Sequence, residues 1–292
     1  LSIMREEQPL LDIASGVIKG LRPVLEEICP DAVLVQGDTT TAFAAALAAY
    51  YMNIPVGHVE AGLRTYDICR PYPEEFNRQA ADSAASWCFA PTERAGENLI
   101  REGKRLESVY VTGNTVIDAL KTTVRESYAH PELTWAEGSR LVFLTAHRRE
   151  IWGDPMRRIF RAIRQVVEEH PDVKVLYPVH SNPIVRHAAE EVLGGHERIH
   201  LIDPVDVLDC HNILARSHLV LTDSGGLQEE APSLGKPVLV LRDRTERPEG
   251  VEAGALRLVG TEEASVRSGF RELLDSPETY RAMARVTNLY GD

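Results

Sequence analysis

A chain of 292 residues exceeds what one compact core usually holds, and 43% hydrophobic with 26% charged residues is an ordinary globular mixture, so two domains are expected rather than one. The formal charge of -12 argues against a nucleic-acid partner, because gripping a phosphate backbone takes a dense Lys/Arg surface; any anionic ligand must meet a local positive site. Four scattered cysteines, Cys29, Cys69, Cys88 and Cys210, lack paired spacing and suit reduced thiols in a cytoplasmic protein, leaving metal and redox chemistry without support. The longest strongly apolar stretch, 42–52, is alanine-rich and falls short of the ~20 residues a membrane-spanning helix needs, so it reads as a buried helix. No signal segment opens the chain, yet Leu1 is not an initiator methionine and a helical pattern begins almost at once, so the natural start is expected to lie upstream.

Apolar runs of strand length alternate with amphipathic segments of helix length from end to end, a pattern that predicts parallel sheets covered by helices. In the first part, strands are predicted at 32–36, 56–59, 87–90 and 109–112, with helices near 10–28, 40–52, 75–84 and 93–103. A second series has strands at 141–145, 173–178, 199–202, 219–222, 238–241 and 256–259, and helices at about 155–170, 183–193, 207–216, 226–234 and 263–274. The helix after Asn114 and the polar segment 127–139 read as a hinge, dividing the chain into Rossmann-like domains at 1–114 and 115–292. The expected fold class is α/β, two doubly wound domains facing a cleft, with ligands at the carboxyl ends of strands.

Polar clusters follow several of these strands. Gln36-Gly37-Asp38-Thr39-Thr40-Thr41 offers Asp38, either as a cap for the next helix or as a chemical carboxylate. His58-Val59-Glu60-Ala61-Gly62-Leu63-Arg64-Thr65 puts Glu60 between His58 and Arg64, either a loop ion pair or a site. Arg70-Pro71-Tyr72-Pro73-Glu74-Glu75-Phe76-Asn77-Arg78 opens a helix, where Glu74 is favoured by the helix dipole whatever its role. In the second series, His147, Arg148 and Arg149 stand together after a strand and suit a phosphate, while His180 ends the next strand. Thr222-Asp223-Ser224-Gly225-Gly226-Leu227-Gln228-Glu229-Glu230 has the makings of a phosphate cradle: a strand end, two glycines for close backbone approach, and a helix start. The loop Arg242-Asp243-Arg244-Thr245-Glu246-Arg247-Pro248-Glu249 is expected to add cations to the same rim. Neither loop matches the dinucleotide fingerprint or the P-loop, which disfavours NAD and ATP.

Taken in order, Gly37-Asp38-Thr39-Thr40-Thr41, His58-Val59-Glu60-Ala61-Gly62-Leu63-Arg64-Thr65, Pro73-Glu74-Glu75 with Asn77-Arg78, His147-Arg148-Arg149-Glu150, Asp223-Ser224-Gly225-Gly226 and Thr245-Glu246-Arg247-Pro248-Glu249 closely resemble the non-hydrolysing UDP-N-acetylglucosamine 2-epimerases. The resemblance spans nearly the whole chain. It implies a glycosyltransferase-B-like fold, a UDP-sugar held between domains, and usually a homodimer without a redox cofactor. The family opens with a strand and a Gly-Thr-Arg-Pro-Glu loop that precede the present start, and relatives continue past the segment matching Asn288-Leu289-Tyr290-Gly291-Asp292 into a helix that returns to the first domain. Cys210 stands where relatives often have phenylalanine near the uracil.

The resemblance further implies a redox-neutral route: a base takes the C2 proton while UDP leaves C1 to give 2-acetamidoglucal, and readdition with protonation on the other face yields UDP-N-acetylmannosamine. Asp38, Glu60 and Glu74 match positions implicated in proton transfer and sugar binding. His147, Ser224, Gly225, Gly226, Glu230 and Arg247 match nucleotide-side positions, with His147 and Arg247 offsetting charge on departing UDP and Glu230 suited to ribose hydroxyls. Arg148 and His180, with Glu74, resemble residues that some bacterial relatives use for a second, activating UDP-N-acetylglucosamine. A glycosyltransferase of the same fold is the rival enzyme reading, a hydrolysing epimerase another, and a nucleotide-sugar-binding remnant the non-enzymatic one. The glycosyltransferase accounts for the phosphate cradle but not for three carboxylate motifs together.

Overall fold

A computed structural model describes residues 1–3, 5, 8–286 and 289–291. Of the closing segment matched above, Asn288 and Asp292 lie outside the described residues. The chain separates into two compact units, Leu1–Asn114 with Gly291, and Thr115–Tyr290.

The first unit runs α1 (Leu10–Ile28), β1 (Val33–Gln36), α2 (Thr40–Tyr51), β2 (Val56–Val59), α3 (Glu74–Ala84), β3 (Trp87–Ala90), α4 (Glu93–Arg101) and β4 (Val109–Val111). Its four strands lie parallel in the order β1-β2-β3-β4. Helix α2 touches α1, α3 and β1, and its alanines explain how: Ala42, Ala44, Ala46, Ala48 and Ala49 are all buried, and only side chains that small let three neighbours approach one helix. Parallel pairing of β1 with β2, Gln36 opposite Val59, brings the loops carrying Asp38 and Glu60 to adjoining strand ends.

The second unit continues with α5 (Thr115–Thr123), α6 (Pro131–Trp135), β5 (Arg140–Thr145), α7 (Asp154–Glu169), β6 (Val173–Pro178), α8 (Pro183–Leu193), β7 (Ile199–Ile202), α9 (Val207–Arg216), β8 (Leu219–Thr222), α10 (Leu227–Ser233), β9 (Val238–Val240), α11 (Pro248–Glu252), β10 (Leu256–Leu258), α12 (Glu263–Asp275) and α13 (Pro277–Ala284). The parallel sheet has the order β10-β9-β8-β5-β6-β7. The winding direction reverses between β5 and β8, and the crevice at the carboxyl ends of such a pair is where open α/β sheets bind ligands. Every residue of β8 is buried, as are four of the six in β5, which is why these strands read as unbroken apolar runs.

The segment after Asn114 is tied into the second unit. Asn212 of α9 accepts the Arg125 N–H at 2.9 Å and donates to the Thr123 carbonyl at 2.8 Å, while Arg216 donates to the carbonyls of Arg125 and Glu126. The segment also contains α6, capped by His130, whose ring accepts from the Glu132 N–H at 3.2 Å. Helices α6, α11 and α13 had no clear periodic signal: the first two have five residues, too few for two turns, and α13 buries only Met283. Among the described residues, no helix is long and apolar enough to cross a membrane.

Candidate functional site

In the first unit, Asp38 follows the Gly37 turn, whose φ of +71° glycine adopts without strain. The cap of α2 is not Asp38 but Thr39, whose hydroxyl accepts the Ala42 N–H at 3.1 Å. That removes the capping alternative and leaves the Asp38 carboxylate to Arg78, at 2.5 Å, while Asn77 donates to the Asp38 carbonyl at 2.9 Å. Both partners come from α3, so that helix fixes Asp38 at main chain and side chain together. The Glu60 carboxylate lies over Gly37: a Cβ added there would sit 3.2 Å from Glu60 Oε2. Asp38 and Glu60 therefore share one locality.

Arg64 does not pair with Glu60. Its guanidinium meets Asp82 at 2.8 Å and clasps Glu102 through two contacts of 2.8 and 2.6 Å, all on a buried arginine side chain. Asp82 also faces His58, so the ion-pair alternative for this loop is satisfied by two acids that carried no signal of their own in the sequence. Glu74 begins α3 as expected of an acid at a helix N-terminus, and it is half-buried. The neighbouring Glu75 is fully buried and structural, accepting the N–H groups of Thr65 and Tyr66, each at 3.1 Å.

In the second unit a cavity of about 370 Å³ opens at the β5/β8 strand ends, lined by His147, His180, Asp206, Cys210, His211, Ser224 and Glu230 among others. Asp223, fully buried, organises it. Its Oδ2 accepts the N–H of His147 at 2.6 Å and of Arg148 at 2.7 Å, and its Oδ1 lies 3.1 Å from His147 Nδ1. Burial opposes the Asp223 charge, but His147 and the two N–H groups hold its carboxyl below the usual range. With Nδ1 on the Asp223 side, the partly exposed His147 lines the cavity. His180 stacks on it, ring centres 5.5 Å apart, and burial together with His147 pushes His180 below the ordinary histidine range.

Ser224, the first residue of the turn Ser224-Gly225-Gly226, lines the cavity. The Ser224 N–H donates to Thr222 Oγ1 at 2.9 Å, and a Cβ on Gly225 would come within 2.5 Å of Arg247 Nη1, so glycine is required for the arginine to lie against this backbone. The cationic rim expected after β9 is for the most part an ion-pair network. Arg247 is buried with Nε 2.5 Å from Glu229 and Nη1 2.6 Å from Glu246, and Arg242 meets Glu150 and Glu246 at 2.8 and 2.9 Å. Arg247 thus supplies a fixed charge behind the turn, shared with carboxylates. Glu230 is approached by His211 at 3.4 Å, whose other nitrogen is 2.7 Å from the Thr123 hydroxyl. Burial and the charge of Glu230 push the Cys210 thiol up to about 12, so Cys210 stands in this wall as a neutral thiol.

The sequence pattern of the family described as UDP-N-acetylglucosamine 2-epimerase matches residues 1–292. The chain belongs to that family. The epimerase is 55% identical over 292 residues to the UDP-N-acetylglucosamine 2-epimerase of Bacillus subtilis (strain 168), covering all of this chain and 77% of that relative. A crystal structure of UDP-GlcNAc 2-epimerase from Neisseria meningitidis bound to UDP-GlcNAc superposes with a TM-score of 0.95 at 45% identity, covering 100% of this chain and 81% of that one. A structure of S. aureus MnaA with UDP gives a TM-score of 0.95 at 50% identity, covering 98% and 79% of the two chains. The glycosyltransferase-B-like α/β class expected from the sequence agrees with these folds. Within the epimerase, the structure brings Asp38 together with Glu60, and His147 with His180, Ser224 and Glu230. Sequence reasoning passed over Asp223, His58, Asp82 and His211 as functional groups; the first two sat inside motifs, and His211 stands next to Cys210 in Asp209-Cys210-His211-Asn212.

Proposed function

We propose that this chain reversibly epimerises UDP-N-acetylglucosamine at C2 through elimination and readdition of UDP. The observation that carries this reading is the pairing of Asp38 and Glu60 at adjoining strand ends, with Thr39 doing the capping that would otherwise occupy Asp38. A carboxylate takes the C2 proton, the C–H electron pair forms the C1=C2 bond, and the C1–O bond breaks with its electrons passing to the diphosphate. In the return step the diphosphate oxygen attacks C1 and a second acid protonates C2 on the opposite face. Electrons and protons balance without a redox cofactor. Glu74, on the helix that holds Asp38, is the third carboxylate of this half-site.

The second unit serves the nucleotide. His147, oriented by Asp223, and Arg247 behind the Ser224-Gly225-Gly226 turn oppose the charge that develops on departing UDP, while Glu230, held by His211, suits ribose hydroxyls. Turnover in heavy water tests the route: product UDP-N-acetylmannosamine should carry deuterium at C2, and long incubation should release some 2-acetamidoglucal and UDP. Product without deuterium at C2 overturns elimination. Supplying UDP-N-acetylglucosamine with no acceptor separates this reading from a glycosyltransferase.

The resemblance also carries regulation by a second UDP-N-acetylglucosamine at Glu74, Arg148 and His180, in a cytoplasmic homodimer. Support is local, since Arg148 and His180 flank His147. Sigmoidal kinetics that become hyperbolic in Arg148→Ala or His180→Ala fit this reading; hyperbolic kinetics in the unaltered enzyme count against it.

A further inference from the structure

His58 is the third residue of β2, fully buried, and both of its ring nitrogens face acceptors. Nε2 lies 2.9 Å from the carbonyl oxygen of Gly37, and Nδ1 lies 2.6 Å from Asp82 Oδ1. A carbonyl oxygen only accepts, so Nε2 carries a hydrogen. Asp82 is an ionised carboxylate: its other oxygen takes Arg64 at 2.8 Å and the Gly62 N–H at 3.2 Å, so Nδ1 must donate as well. Two donors make the ring an imidazolium.

Charge counting agrees. Arg64 is shared between Asp82 and the solvent-exposed Glu102, so Asp82 holds only part of one guanidinium and a cationic His58 ring meets its remaining charge. The other groups facing His58 do not upset this balance. Cys88, opposite it on β3, is a neutral thiol pushed up to about 12 by burial, and Asp38 is matched by Arg78. Glu60 adds a further negative charge that favours the cation. Burial works against charge on His58, yet Asp82, the Gly37 carbonyl and Glu60 together hold it above the ordinary histidine range.

We infer that His58 is a positioning residue for the C2 chemistry: its doubly donating imidazolium pins the Gly37 turn to Asp82 and so sets where the Asp38 and Glu60 carboxylates stand. Gly37 is gripped from β2 on both sides, its carbonyl by His58 and its N–H by the Val59 carbonyl at 3.0 Å, and Asp38 is the next residue. A fixed cation beneath two carboxylates also favours their ionised, proton-accepting forms. The inference rests on the assignment of Asp38 and Glu60 as the acid/base pair.

The test begins with the unaltered full chain, labelled with 15N at histidine, by NMR between about pH 6 and 9, the range in which ordinary histidines titrate. Both ring nitrogens of His58 should keep the protonated signature after the ordinary histidines have lost it, and a His58 ring that turns neutral with or before them overturns the inference without reference to turnover. His58→Gln should lower kcat by about 100-fold with little change in KM, the size expected of a reacting group misplaced by an ångström. It should also move the acid limb of the rate profile to higher pH, because a carboxylate that loses a nearby cation holds its proton more tightly. A fall in kcat with an unmoved acid limb would reduce His58 to a structural residue. If His58→Gln does not fold, Asp82→Asn reads the same linkage, since the His58 ring should then titrate within the window; a ring that stays protonated there overturns the role given to Asp82. Full activity in both Asp38→Asn and Glu60→Gln, with His58 still protonated, defeats the acid/base assignment and not the imidazolium.

Discussion

Replacing Asp223 by asparagine changes one atom in a fully buried side chain and should silence His147. The amide oxygen can keep the two backbone N–H groups of His147 and Arg148, now 2.6 and 2.7 Å from Oδ2. Its NH2 group then occupies the place of the oxygen 3.1 Å from His147 Nδ1. A donor there makes the neutral ring accept at Nδ1 and moves its hydrogen to Nε2, the opposite tautomer, and it removes the carboxylate that stabilises the protonated ring. Loss of one such charge-stabilising group costs about 2.7 to 4 kcal/mol of barrier, on the order of 100- to 1,000-fold in turnover. Stability should change less, because the two main-chain hydrogen bonds persist. Asp223→Ala leaves both N–H groups buried without an acceptor and should cost about 1 to 3 kcal/mol for each. Formation of UDP-N-acetylmannosamine followed by chromatography, UDP titration by calorimetry and urea unfolding report the three quantities. A folded Asp223→Asn protein with undiminished turnover and UDP affinity would refute the role given to the Asp223–His147 pair.

Asp38→Asn and Glu60→Gln keep shape while removing base capacity, so deuterium incorporation and turnover should fall together by about 100- to 10,000-fold; undiminished exchange clears these carboxylates. Arg247→Ala should weaken UDP binding and also unfold at lower urea, because the buried Glu229 loses this guanidinium while Glu246 keeps Arg242, a loss of about 3 to 5 kcal/mol when one partner of a buried pair is removed. An unchanged urea midpoint would show that the network contributes little. His218, stacked on Tyr280 with ring centres 4.3 Å apart, is lowered to about 4 by burial first and by Arg140 and Lys236 after it. Its folded value lies below its unfolded 6.5, so the stability it contributes is complete above pH 6.5 and is lost as the pH falls towards about 4. Urea midpoints across that window should drop more steeply in the unaltered protein than in His218→Phe, and parallel slopes would remove His218 as the cause.

Local pattern alone determined most of the architecture. Strands β2, β3, β6, β7 and β8 and helices α1, α8 and α9 have the bounds that apolar periodicity and turn residues predict. This works because secondary structure closes its hydrogen bonds over short sequence distances or along uniformly apolar runs. The motifs were legible for the same reason, each being one loop at one strand end. The partners of the charged groups were not legible. His58 meets Asp82 across 24 residues, Arg64 meets Glu102 across 38, and His147 meets Asp223 across 76. Between the neighbours Asp38 and Thr39, or Glu74 and Glu75, composition offers no basis for choosing the cap or the buried acid. Tertiary structure decided these cases because the strength of a charge contact depends on separation and on exclusion of water, and both are set by which strand ends the sheet brings side by side.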